Sequence, residues 1–141
     1  MMISHHETGI HHVEVNVSDL PRAEIFWGFV LERLGFQRYQ RWERGVSWRS
    51  GSMYLVLTEV SDSYSGAPYH RQAVGLNHLA FHASSKGAVD QLMIDLRERG
   101  VTILYEDRFP HAGGKEHYAL YCEDPDRIKV EIVAGGMASS D

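Results

Sequence analysis

Residues 9–15, Gly-Ile-His-His-Val-Glu-Val, and residues 75–81, Gly-Leu-Asn-His-Leu-Ala-Phe, are two copies of one pattern. In each, a glycine opens a run that alternates in polarity, as a half-buried strand does. The interval from His12 to His78 nearly equals that from Gly35 to Gly100, so the repeat extends well past the strand. After the first strand, Ile10 to Val17, Ser18 or Asp19 caps a helix with Pro21 in its first turn, where a missing N–H costs nothing. The helix is expected to run to about Leu34, with Ile25, Phe26, Phe29 and Val30 as its apolar stripe and Gly35 as its left-handed stop. Strands follow at Phe36–Arg41, Val46–Arg49 and Met53–Thr58, punctuated by Gly45 and Gly51. The second copy runs in the same order. A strand at Gly75–His82 precedes a helix capped by Ser84 or Ser85, with a stripe of Val89, Leu92, Met93 and Leu96 and a stop at Gly100. Strands are then expected at Val101–Tyr105, about His117–Cys122, and Arg127–Val133.

The expected fold class is therefore α+β: two βαβββ modules from an internal duplication, residues 9–60 and 74–134, within a single domain of residues 1–141. Residues 61–73 form the linking loop, 135–141 a small polar tail, and 1–8, with His5 and His6, a frayed start. One helix covers one face of each four-stranded sheet. The bare faces are expected to face each other, within a chain or across a dimer, and so to make a concave cleft.

Composition narrows the function classes. With 141 residues, 43% hydrophobic and 23% charged, the chain has the make-up of an ordinary globular domain. No apolar run approaches the ~20 residues needed to span a bilayer, and no secretory signal pattern is visible, so no membrane partner is expected. Net charge is −5 and the 14 Lys and Arg do not cluster, which disfavours nucleic acid. The lone Cys122 closes no intrachain disulfide, as suits a reducing cytoplasm. Nine histidines raise the prospect of metal or acid–base chemistry.

Strand parity sorts the candidates, because successive side chains alternate between faces. In the first strand His11, Val13, Val15 and Val17 share one face, and His12, Glu14 and Asn16 the other. The valines must pack on the helix, so His12 lines the cleft. In the fifth strand His78, Ala80 and His82 face away from the helix, and His78 takes the position equivalent to His12. In the last strand Ile128, Val130 and Ile132 face the helix, while Lys129 and Glu131 face the cleft. Two imidazoles and a carboxylate are the composition of a facial site for Fe(II), Mn(II) or a related divalent ion, with positions left open for substrate or water. A polar-lined cleft without metal is the ordinary alternative.

Three stretches, GIHHVEVNVSDLPRAEIFW (9–27), GLNHLAFH (75–82) and YCEDPDRIKVEIV (121–133), resemble the signatures of the vicinal oxygen chelate superfamily. That group includes glyoxalase I, extradiol dioxygenases, fosfomycin-resistance proteins and bleomycin-binding proteins. The likeness covers about residues 9–134 and is greatest to a bacterial glyoxalase-like subfamily with no assigned activity. It implies the glyoxalase/dihydroxybiphenyl dioxygenase-like fold, metal ligands at His12, His78 and Glu131, and a divalent ion such as Fe(II), Mn(II), Zn(II) or Ni(II). It also implies a homodimer, with His12 from one subunit and His78 and Glu131 from the other. The glyoxalase I members carry a fourth ligand, a Glu, where this chain has Val56; Glu59 is near but of opposite parity, which counts against a glyoxalase I reaction. In extradiol dioxygenases a catalytic Tyr stands where Tyr121 does, across the Glu123-Asp124-Pro125-Asp126 turn from Glu131. Such a phenol donates a hydrogen bond to an oxyanion or acts as a general acid; packing at the cleft edge is the alternative.

His82, sharing the face of His78, and the loop residues His70, Arg71, His111 and Lys115 are candidates for contact with a small-molecule substrate. Arg71 and Lys115 are natural partners for an anionic group, and the glycines of His111–Lys115 permit close backbone approach. Solvated loop is the ordinary alternative for each. Trp42 and Trp48 line the pocket or fill the core, and Cys122 is expected on the helix side. The resulting reading is a metal-dependent enzyme of lyase, isomerase or dioxygenase type. The runner-up is a metal-free small-molecule binding or antibiotic-sequestering protein, as in bleomycin resistance.

Overall fold

The computed structural model describes residues 9–135. The expected frayed start, with His5 and His6, and the tail from residue 136 lie outside the described residues. The chain divides into two compact units between Ser65 and Gly66. The first holds β1 (His12–Val17), α1 (Leu20–Arg33), β2 (Gln37–Trp42), β3 (Gly45–Ser50) and β4 (Met53–Glu59). Its sheet order is β1-β4-β3-β2, with β1 parallel to β4 and the other pairs antiparallel. The second holds β5 (His78–Ala83), α2 (Lys86–Glu98), β6 (Ile103–Leu104), β7 (Tyr118–Glu123) and β8 (Lys129–Ala134). Its order, β5-β8-β7-β6, repeats the first with the same single parallel pair. The fold is the duplicated α+β arrangement that the repeated sequence predicts.

Local chemistry explains the helix ends. Asp19, not Ser18, caps α1, its Oδ1 accepting the Arg22 N–H at 3.1 Å. Glu59, at the end of β4, accepts the Leu20 N–H at 2.9 Å and so satisfies a second free donor of the same helix start. Ser85 caps α2, its Oγ accepting the Ala88 N–H at 3.0 Å. Each such cap contributes about 1 kcal/mol.

The α1 stripe differs from expectation. Ala23, Phe26, Trp27, Val30 and Leu31 are buried, whereas Ile25 is 66% exposed and Phe29 is only half-buried. The buried set keeps the i, i+3, i+4 spacing through Trp27, and Ile25 lies about 100° round the axis from Phe26. The α2 stripe of Val89, Leu92, Met93 and Leu96 is buried as expected. The expected strand Val101–Tyr105 shrinks to Ile103–Leu104, because Tyr105 turns into the left-handed region at φ 55° and starts a single 3-10 turn, Glu106–Arg108. A bulky side chain holds that conformation at a cost of roughly 1–3 kcal/mol, so neighbouring contacts must impose it.

The two tryptophans part company. Trp42 is 41% exposed and lies over Gly45, where a Cβ would collide with its ring. Trp48 is fully buried, with its Nε1 donating to Glu32 Oε2 at 3.1 Å. Trp48→Ala is expected to cost about 3–5 kcal/mol through the cavity it leaves, read as a lower denaturant midpoint; a change under about 1 kcal/mol would mean the site collapses without cost. Among the described residues no helix is long and apolar enough to cross a membrane.

Candidate active site

Glu131 sits in β8 between Val130 and Ile132, which are fully buried. Parity turns its carboxylate to the opposite face, where it is 5% exposed, with Ala80 of β5 beside it on one side and Tyr121 of β7 on the other. A carboxylate this buried must be hydrogen-bonded or paired to offset its lost hydration. His78, at the start of β5, brings Nε2 to 3.0 Å from Glu131 Oε1. His117, just before β7, brings its Nε2 to Oε2 of the same carboxylate. On the far side of the His78 ring, Nδ1 lies 2.6 Å from Asn77 Oδ1.

Tyr121 completes the group. Burial first, then the adjacent Glu131 charge and a hydrogen bond to it, push its phenol up to about 12. It therefore remains a neutral donor at ordinary pH. The Tyr105 ring meets it edge-on at 5.3 Å. Lys129 places its ammonium 4.9 Å from the Tyr105 ring centre and 5.1 Å from that of Tyr121, and donates to the Tyr105 hydroxyl at 3.1 Å. These contacts pack the Tyr105 side chain against Tyr121 and Lys129. The loop before β7 also lies on the site: a Cβ on Gly113 would stand 2.5 Å from the Tyr121 hydroxyl and 2.6 Å from His117 Cδ2. Only glycine lets the backbone approach so closely.

His78, Tyr121 and Glu131 are thus brought together within the second unit. His12 lies on β1 of the first unit, exposed, stacked on Tyr54 at 4.7 Å, with its Nδ1 2.8 Å from that of His11. Arg71 is engaged: its Nη1 contacts Glu123 Oε2 at 2.5 Å and the Arg127 carbonyl at 3.0 Å. His70 is exposed and its Nδ1 accepts the Gln72 N–H at 3.0 Å. His82 is exposed on β5, and Lys115 is exposed in the 111–117 loop. His111 packs edge-on to Tyr118, with its Nδ1 3.3 Å from the His117 carbonyl. Cys122 is buried on the helix side, where burial pushes its thiol up to about 12 and makes it a poor nucleophile. Val56 pairs with Glu14 as Glu131 pairs with Ala80, so it does occupy the position equivalent to Glu131, and Glu59 is spent on the start of α1.

Sequence reasoning missed His117 and Tyr105. His117 was within reach, since it alternates in step with Ala119 and Tyr121. Tyr105 was not, because nothing in its pattern encodes a positive φ.

The donor chemistry suits a divalent cation in part. Neighbouring donors bonded at about 2.1 Å to a small ion stand about 3 Å apart, the spacing of His78 Nε2 and Glu131 Oε1. His117 addresses the other carboxylate oxygen, so the three groups do not converge on one point. Among the described residues no three His, Cys, Asp or Glu side chains form a ready metal-binding group.

A duplicated βαβββ chain with His and Glu on the face away from the helix defines a class. The chain belongs to the Glyoxalase/Bleomycin resistance protein/Dioxygenase superfamily, whose family model matches residues 9–132. It is 52% identical over 125 residues to the uncharacterized Bacillus subtilis (strain 168) protein YqjT, covering 89% of this chain and 98% of that one. A candidate glyoxalase from Bacillus halodurans has the same fold at TM-score 0.88 and 53% identity, covering 89% of this chain and 95% of that one. A lactoylglutathione lyase from Agrobacterium tumefaciens, at TM-score 0.62 and 24% identity over 92% of this chain and 95% of its own, shares the fold alone.

Proposed function

We propose that this chain is a glyoxalase-like, divalent-metal-dependent enzyme acting on a small oxygen-bearing substrate, of lyase, isomerase or dioxygenase type. The observation that carries it is the 3.0 Å approach of His78 Nε2 to Glu131 Oε1. His12, from the equivalent position of the first repeat, is the third donor in this reading, on the strength of the resemblance. Homodimerisation and a reducing cytoplasmic setting belong to the same proposal.

A divalent cation held by these residues supplies Lewis acidity toward substrate oxygens. The chain supplies the rest. Glu131 offsets the charge, His78 and His117 fix the carboxylate plane, and Tyr121 donates a proton or hydrogen bond to a substrate oxygen. Gly113 lets the loop backbone lie close over the phenol.

One observation favours the second reading, a metal-free binding protein: the Glu131 carboxylate is already satisfied by two imidazoles. Metal analysis of protein purified without chelator, with calorimetric titration of Fe(II), Mn(II), Zn(II) and Ni(II), separates the two. Stoichiometric uptake of one of these ions is the expected result; no uptake of any would leave the sequestering role.

A further inference from the structure

Lys129 is half-buried on the face of β8 that carries Glu131, and in the cross-strand register it stands between His78 of β5 and Glu123 of β7. A lysine opposite a glutamate is ordinarily its ion pair. Here it is not. The Glu123 carboxylate goes to Arg71 at 2.5 Å and to Arg127 at 3.5 Å, and Glu131 goes to His78 and His117. The Lys129 ammonium instead lies 4.9 Å from the Tyr105 ring centre and 5.1 Å from that of Tyr121, and donates to the Tyr105 hydroxyl at 3.1 Å. Among the described residues it pairs with no carboxylate. An ammonium has three N–H donors, so two remain for a ligand.

Arg108 is a second cation on the same phenol. Its guanidinium lies 5.0 Å from the Tyr105 ring centre, and among the described residues it has no acidic partner; the nearby Glu106 is bound by Arg97 at 2.6 Å. The Tyr105 hydroxyl accepts from Lys129, so its own proton is left for an acceptor, and no described residue supplies one. The Tyr105 backbone takes its costly φ of 55° at this point, and bulky residues held in that region gather at ligand sites. Arg71, the natural candidate for an anion, is already bound to Glu123. Two cations and a spare hydroxyl share one ring without a carboxylate, in a chain whose net charge is −5. An oxyanion relieves the repulsion between the cations and takes up all three donor groups.

We infer that Lys129, Arg108 and the Tyr105 hydroxyl form an oxyanion subsite beside Tyr121, which takes the carboxylate or phosphate-type group of a small organic ligand. The subsite calls on no metal. Its use by a substrate, with Tyr121 meeting the reacting oxygen, rests on the enzymatic reading proposed above; the binding itself does not.

Phenylphosphonate, benzoate and neutral benzamide, titrated into the 15N-labelled full chain at low salt with and without chelator, test this through amide shifts. At least one of the two anions is expected to saturate, with the largest shifts at Tyr105, Arg108 and Lys129, and the tighter of the two identifies the group preferred. Benzamide is expected not to saturate. Lys129→Met should raise the dissociation constant about 10- to 100-fold, the loss that goes with one charge-assisted bond. Arg108→Gln, at an exposed side chain, should raise it by less and reads the subsite independently of any packing change at Lys129. Arg49→Gln, which removes a cation of the first unit, should leave it unchanged. The inference is overturned if neither anion saturates, if benzamide binds as tightly, or if Lys129→Met and Arg108→Gln both keep wild-type affinity. Anion binding that appears only with a metal present overturns it too. Anion binding undiminished by chelator, in a chain that takes up no divalent ion, leaves the subsite standing and removes the metal reading.

Discussion

Glu131→Gln is expected to abolish the divalent-metal binding proposed for this site and to leave the fold standing. The substitution deletes a charge with almost no change of shape, at a residue 5% exposed between the imidazoles of His78 and His117. A carboxylate presents acceptor oxygens to both rings, whereas an amide must turn its NH2 toward one of them. One imidazole thereby gains a donor where it had an acceptor, and the anionic donor is gone. Partners one step removed from a metal are worth about 10–100-fold in affinity, so losing the carboxylate itself is expected to exceed about 100-fold. Calorimetry with Mn(II) or Zn(II) measures it, and circular dichroism checks the fold. Wild-type metal content in the variant would mean Glu131 is not a donor.

Strand parity made much of this legible, because it depends on the backbone alone. Alternation in β8 separates Glu131 from Val130 and Ile132, and β5 and β7 treat His78 and Tyr121 in the same way. Parity alone does not single out His117: it opens the expected strand in phase with Tyr121, β7 itself begins at Tyr118, and its place at the site comes from a contact with Glu131, 14 residues away. Helical phase was misjudged in α1, where Ile25 and Phe29 were counted and Trp27 was not, because an apolar run fits more than one stripe. Long-range partners lie beyond any local pattern. Arg71 reads as a free cation in sequence, yet its partner Glu123 is 52 residues away. Glu59 reads as a stray acid near a ligand position, yet its use is a helix start 39 residues back.

Tyr121→Phe is expected to leave metal affinity close to wild type and to lower kcat by about 100- to 1,000-fold, the usual loss on removing one donor to a developing oxyanion. Glu131 keeps His78 and His117 when the phenol goes, so the carboxylate stays fixed and the fold persists. The phenol titrates at about 12 in the folded chain against 10.0 for the ordinary group, through burial first and the neighbouring carboxylate second. It is therefore a protonated donor throughout the working range, and no alkaline limb below about 12 should trace to it. The same shift has a sign for stability. A raised folded value favours the protonated form in the native state, so its contribution is complete below 10.0 and is lost as pH climbs through about 12. Denaturant midpoints across that window should fall less steeply in Tyr121→Phe than in wild type. An unchanged kcat would make Tyr121 a packing residue at the edge of the sheet, and a large loss of metal affinity would mean that it serves Glu131 and not the reacting oxygen.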